Sequence, residues 1–349
     1  MGASGVVVIG AGPVGLIAAL RLARAGRKVA IVARRLPAPD DPPRVDAAPA
    51  ALLALLVELG IHPASIGAAE LFTRRFAAWS SHAPTLIDGP ATVHIERPAL
   101  DVALLDALRR CDDVSIEVRR WHPVRGGARA GAIIDASGRA AVTATRRIRP
   151  DRPWVARTFW LDRSSCRAAA DFAIAALPSG YAYRLGGASR LIVGIVGRGS
   201  AITGTAAEVE RRSRRAAAWI MDGLPSLPSM AEGAAGAASV QWTEGHSPLR
   251  IGDAALARDA LASQGIATGA SEALLAAAAV TPHDVDLIHV RQVEQRQAHL
   301  RSLLEAIDQS AYRDRPVWRD YRGFVAANLG TTPAVARVAL RDGRIELAS

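Results

Sequence analysis

"VVVIGAGPVG", Val6 to Gly15, joins a short apolar run to three glycines at the spacing GxGxxG. The run is rich in β-branched residues, and apolar residues at helical spacing follow it to about residue 25. Gly10 permits a tight turn, Gly12 lets the backbone approach a pyrophosphate, and Gly15 lets helix and strand pack closely. A helix that opens there offers unpaired amides to phosphate. "KVAIVARR", Lys28 to Arg35, supplies a second apolar strand at the distance a βαβ unit requires. The reading is a Rossmann-type nucleotide-binding start: strand 5–10, helix 13–25, strand 28–33. Gly10, Gly12, Pro13, Val14 and Gly15 form its cofactor-binding turn.

The second strand usually ends in Asp or Glu, which holds the ribose hydroxyls. Here that place is Ala33, followed by Arg34 and Arg35. Two ligands suit such a site. In one, an arginine contacts the 2′-phosphate of NADP. In the other, the ligand is FAD, with one ribose hydrogen bond lost or replaced. That loss costs on the order of 1 kcal/mol, about fivefold in affinity.

The remaining composition bounds the class. At 349 residues the chain can bury a large core of one or two domains. Half of it is hydrophobic, and no apolar stretch approaches the roughly 20 residues of a membrane span. No signal peptide is expected from the opening residues, and the two cysteines, Cys111 and Cys166, have neither metal-type spacing nor a disulfide framework. A reducing cytoplasm is the expected location. The net charge of +10 comes from scattered arginines, with Lys28 the single lysine, and does not read as a nucleic-acid surface. The densest run, "RRSRRAAAW" (211–219), is a solvated helix face or a docking face for an acidic partner.

Along the chain, a Pro-rich loop at 36–49 precedes an amphipathic helix, "ALLALLVELG". Alternating strands follow at 70–96, then a helix at 98–110. Short strands dominate from 114 to 197, a helix occupies 205–222, and helix returns after 250. "VGIVGRGS" (193–200) is a strand and turn rather than a second nucleotide fingerprint. "VALRDGRIELA" closes the sequence as a hairpin turning at Asp342 and Gly343. The fold class is therefore α/β, a Rossmann-type nucleotide-binding domain with an inserted β-rich substrate domain. The expected division is 1–66, 98–153 and 246–312 for the nucleotide domain and 67–97 with 154–245 for the β-rich domain. A C-terminal helix and hairpin take 313–349.

A second motif separates the two ligands. "RIGDAALARDALASQGIATGASEALLAAAA" (250–279) resembles the second FAD motif of the glutathione-reductase-type flavoproteins. Within them it resembles the class of aromatic hydroxylases, geranylgeranyl reductases and tryptophan halogenases. The resemblance implies that Asp253 holds the ribityl chain and that Gly265 and Ile266 present amides to the flavin ring. A helix start suits negative charge on reduced flavin. "IERPALDVALL" (95–105) resembles a segment in which Arg97 lies against the cofactor, and "IIDASGR" (133–139) the strand and glycine turn over the adenine side. These segments, in family order, imply FAD; Arg34 and Arg35 are then solvated or phosphate-facing.

Flavin chemistry in this class is monooxygenation, halogenation or double-bond reduction. The halogenases rely on a catalytic lysine and a WxWxIP motif; Lys28 lies on the second strand and "AAWSSHAP" lacks the motif. "GDAALARDALASQGI" resembles "GDAA…DPLSSQGI" of small flavoproteins that include tryptophylquinone maturases, with Ala260 in place of Pro and Ala262 in place of Ser. The expected activity is FAD-dependent monooxygenation of an aromatic substrate, small or a peptidyl tryptophan, with NAD(P)H as a transient reductant or a partner reductase in its place. The alternatives are a reductase or dehydrogenase of a small molecule or lipid, and a non-catalytic flavoprotein scaffold. His94, on an alternating strand, is the catalytic candidate against a packing role. Trp79, Tyr181 and Tyr183 line an aromatic cleft or pack a core.

Overall fold

In the computed structural model of the chain, the glycine turn sits at the centre of a parallel sheet. The structure describes residues 5–68, 70–122, 132–166, 172–198, 202, 204–226, 231–232, 236–245, 247–262, 264–279, 281–330, 337–341 and 344–348. Strand β1 (Val6–Ile9) feeds helix α1 (Pro13–Arg24), whose opening proline has a preset φ and no N–H to satisfy. Strand β2 (Val29–Ala33) returns parallel to β1, with Val6 opposite Val29 and Ile9 opposite Val32.

The segment expected as a Pro-rich loop ends in a strand, β3 (Val45–Pro49), before helix α2 (Ala51–Glu58). Strands β4 (Leu71–Ala78) and β5 (Thr85–Glu96) then lead into α3 (Arg97–Arg109). β3 pairs antiparallel with β5 at the edge of its sheet, a position where a proline's missing donor is tolerated. That is why its proline content misled the sequence reading.

Next come β6 (Val114–Val118), β7 (Ile133–Asp135), β8 (Arg147–Ile148) and β9 (Val155–Asp162). Strands β10 (Phe172–Leu177), β11 (Gly180–Gly186) and β12 (Arg190–Gly197) follow, so "VGIVG" is a strand; Gly199 and Ser200 lie outside the described residues. Helix α4 (Ala206–Ala217) opens with a capping box between Thr205 and Glu208. Four short strands follow: β13 (Ala231–Glu232), β14 (Gly236–Ala237), β15 (Gln241–Thr243) and β16 (Leu249–Arg250). Helices α5 (Asp253–Leu256), α6 (Gly265–Ala278), α7 (Pro282–Gln309) and α8 (Pro316–Ala327) precede the antiparallel pair β17 (Arg337–Arg341) and β18 (Arg344–Ala348). The hairpin turn at Asp342 and Gly343 lies outside the described residues.

Among the described residues the strands form two principal sheets. The parallel sheet runs β16-β7-β1-β2-β6, with α1 packed against α3 and α6. Late chain thus returns to the early sheet, since β16 pairs with β7 at Leu249–Ile134 and Arg250–Asp135. The carboxyl ends of β1, β7 and β16 share one edge, where open α/β sheets bind ligands. The larger sheet has nine strands, β13-β9-β12-β11-β10-β4-β5-β3 with β14 on β9. Period-two alternation gives it two packed faces. Phe159, Ala182, Val193 and Ile195 face Val209 of α4 and Ile220. Tyr181 and Val196 face Leu300 and Leu303 of α7 and Trp318 and Tyr321 of α8. No described helix is long and apolar enough to cross a membrane.

Candidate functional site

Two of the three motif glycines are demanded by the chain itself. Gly10 has φ +111°, and a Cβ there would lie 2.4 Å from the Ala136 carbonyl oxygen. A Cβ on Gly15 would fall 2.2 Å from the Gly10 oxygen. Gly12 differs: no atom lies within 4 Å of its Cβ direction, and no side chain caps the start of α1 behind it. This open, uncapped helix start is the surface a pyrophosphate needs.

The second motif closes onto the first. Gly252 has φ +59° and donates its N–H to Glu272 Oε2 at 2.7 Å. Val14 fills the space beside it, since a Cβ on Gly252 would lie 3.0 Å from Val14 Cγ1 and one on Gly269 2.4 Å from Val14 Cγ2. Asp253 begins α5 with its side chain 41% exposed, and its Oδ1 lies 3.8 Å from the Cβ direction of Gly265. Ile266, beside Gly265, is buried in the core of the parallel sheet. The structure therefore gathers Gly10, Gly12, Pro13, Val14, Gly15, Asp253, Gly265 and Ile266 around one edge. Arg139 Nε stands 3.9 Å from Asp253 Oδ2.

Of the arginines expected near the cofactor, Arg35 and Arg97 have partners of their own. Arg34 is exposed, and Arg35 pairs with Asp41. Arg97 donates Nη1 to Asp46 Oδ2 at 3.0 Å and Nε to Asp101 at 3.0 Å. Arg44 reaches the other oxygen of Asp46 at 3.1 Å. Burial would raise the Asp46 carboxyl, but Arg44 and Arg97 together hold it below its ordinary value. Burial does raise Asp101, against the opposing pull of Arg97.

Ala33 is buried, and its carbonyl accepts from Arg119 N at 2.8 Å. With no acid at that strand end, Ala33→Glu is expected to tighten FAD binding by about 1 kcal/mol, the value of one added hydrogen bond. Titration of apoprotein with FAD measures it; weaker binding means another group fills that space.

His94 is 2% exposed, stacked on Phe72 with ring centroids 4.1 Å apart and edge-on to Phe172 at 5.0 Å. Its Nδ1 lies 2.7 Å from the Gly186 oxygen. The packed rings account for its place on β5. Trp79 and Tyr181 likewise join a packed aromatic core with Trp154, Trp318 and Tyr321 instead of lining a cleft. Tyr183 is half-buried and lies flat across Gly194, where a Cβ would come within 2.0 Å of its ring. Burial pushes its hydroxyl up to about 12.

Three functional-site neighbours escaped the sequence reading: Arg139, Asp259 and Glu272. Glu272 is a charged side chain in an otherwise apolar, small-residue stretch, and that contrast was the available signal. Glu272 is 1% exposed, and burial pushes its carboxyl up to about 7 against the Gly252 N–H, Arg258, Gln292 and Arg291. Folded protein therefore holds a proton that unfolded chain releases, so this group's contribution makes stability fall as pH rises through roughly 4.5 to 7. Glu272→Gln is expected to flatten that slope in denaturation curves taken across this window. An unchanged slope assigns the dependence elsewhere.

The FAD binding domain family matches residues 3–110. No curated protein matches the chain in sequence. Among solved structures, the peptidyl tryptophan dihydroxylase QhpG, essential for tryptophylquinone cofactor biogenesis, is similar at TM-score 0.73 and 22% identity, over 99% of this chain and 86% of that one. The myxobacterial chondrochloren halogenase CndH gives 0.73 and 17%, over 91% and 86%. PqsL of Pseudomonas aeruginosa, a probable FAD-dependent monooxygenase, gives 0.65 and 14%, over 93% and 99%. The chain thus carries an FAD-binding domain in residues 3–110, set within the fold shared by flavin-dependent hydroxylases and halogenases.

Proposed function

We propose that the chain is an FAD-dependent monooxygenase that hydroxylates an aromatic ring, and that the ring is a tryptophan presented in a peptide. The observation that carries the reading is the meeting of the Gly12 opening, the Asp253 carboxylate and the start of α6 at one sheet edge. These residues fit FAD. The Gly12 backbone and the uncapped start of α1 would receive the pyrophosphate. Asp253, half-exposed, would accept from ribityl hydroxyls. The first amides of α6 would face the ring edge, where a helix N-terminus favours negative charge. When bound, the flavin supplies the redox chemistry and the activation of oxygen.

The peptidyl substrate draws support from the fold shared with QhpG and from "GDAALARDALASQGI". Ala260 and Ala262 depart from the related spelling, so the oxygen chemistry has to be measured rather than carried over. Apoprotein should turn yellow with FAD. Asp253→Ala should weaken retention by about 2 kcal/mol, as expected for a hydrogen bond to a charged group. Turnover of a tryptophan-containing peptide under labelled O₂ should place one labelled oxygen atom in the product per hydroxylation. Label-free product, or equal turnover without oxygen, points to a reductase or dehydrogenase. A colourless protein that takes up no FAD points to a scaffold. NAD(P)H and a partner reductase are the electron sources to compare in the same assay.

A further inference from the structure

Asp259 lies midway between Asp253 and Gly265, on the short connection from the carboxylate turn to the start of α6. It is 2% exposed, yet its carboxylate is fully engaged. Oδ1 accepts from the Tyr181 hydroxyl at 2.8 Å and from Leu261 N at 3.0 Å. Oδ2 accepts from the Tyr321 hydroxyl at 2.6 Å. Tyr321 in turn accepts from Val240 N at 3.0 Å.

These partners come from separate parts of the molecule. Tyr181 belongs to β11 of the nine-stranded sheet, and Tyr321 to α8. From α7, His299 Nε2 accepts the Asp259 N–H at 3.3 Å, so its ring is neutral at that nitrogen; burial and Arg258 push it down to about 3. Arg139 donates to the Arg258 carbonyl at 2.8 Å, one residue before Asp259, and stands 3.9 Å from Asp253. Burial raises the Asp259 carboxyl above its ordinary value, against the pull of Tyr321, the Leu261 N–H, Tyr181 and the Arg139 guanidinium. Both tyrosines are held protonated, burial and the neighbouring carboxylate each pushing them well above 10. They are therefore fixed donors, and Asp259 is a fixed acceptor. A buried carboxylate with this many donors is expensive to assemble and strongly directional.

We propose that Asp259 is a positioning residue: by gathering Tyr181 from the large sheet and Tyr321 from α8, it sets where the turn Ala260–Ala262 delivers the start of α6. Its charge also acts on Arg139, the cation beside Asp253. The inference rests on FAD binding at that edge. Its prediction is that removing the charge makes bound flavin easier to reduce, because reduced flavin gains negative charge in the same neighbourhood.

The experiment is a redox titration of bound FAD with dithionite against a reference dye, at pH 7, needing neither substrate nor natural reductant. Asp259→Asn should keep FAD affinity within about threefold, since the Gly12 and Asp253 contacts are untouched, and should raise the midpoint potential. Tyr321→Phe leaves the carboxylate but removes its tie to α8; with the start of α6 held less firmly toward the ring, it should lower the potential. It is the deciding variant if Asp259→Asn does not fold. A potential unchanged in FAD-loaded variants overturns the positioning role and leaves the FAD reading standing. A parent protein that binds no FAD overturns both.

Discussion

Trp154→Ala is expected to lower the unfolding free energy by about 4 kcal/mol, in the range for a large aromatic removed from a packed core. Trp154 is 1% exposed and touches Trp318, Tyr321 and Tyr181 at ring distances of 5.1, 4.6 and 6.0 Å. It joins the large sheet to α8, and its carbonyl accepts from Ala238 N at 2.8 Å. Truncation leaves the surrounding rings without partner atoms on one side, so they lose those contacts outright. Trp154→Phe should restore most of the loss, because the indole N–H has no hydrogen-bond partner among the described residues. Chemical denaturation of both apoproteins measures the difference. Equal loss in the two variants would mean that the N–H, and not the packed volume, is what matters.

Gly269→Ala is the second large effect. The new Cβ would meet Val14 Cγ2 at 2.4 Å and the Gly252 Cα at 3.4 Å, so α6 must move away from α1. Overpacking of this kind costs roughly 1–3 kcal/mol, and the displacement also opens the turn that carries Asp253. FAD affinity should fall on the order of a hundredfold, the equivalent of about 3 kcal/mol. Val14→Ala in the same chain removes the atoms in conflict and should recover binding. Failure of the double variant to recover would show that Gly269 serves something other than close approach to Val14.

The parts legible in the sequence are those whose requirement is local. Gly10 is required by its own φ of +111°, and Gly15 by the Gly10 oxygen five residues earlier, so their spacing can be read directly. The departure at Ala33 was equally visible. Asp259 stands at the Asp of the related spelling, but its role was not visible, because its tyrosine partners are 78 and 62 residues away in sequence. Arg97 shows the same limit. Its place at the start of α3 was readable, but its partner Asp46 sits 51 residues earlier, in a stretch disguised as loop. Trp79 failed in another way: alternation gives its strand but does not say which face is covered, and here it donates its indole N–H to Ala306 O at 2.7 Å on α7.

The seat of Val14 between Gly252 and Gly269 has a consequence for synthesis. At roughly 5–20 residues per second, the partner of α1 leaves the ribosome about ten to fifty seconds after α1 itself. Through that interval the apolar face that α1 turns toward α6 has no native cover. Translation products that stop before α6 should be insoluble, however complete their N-terminal βαβ unit.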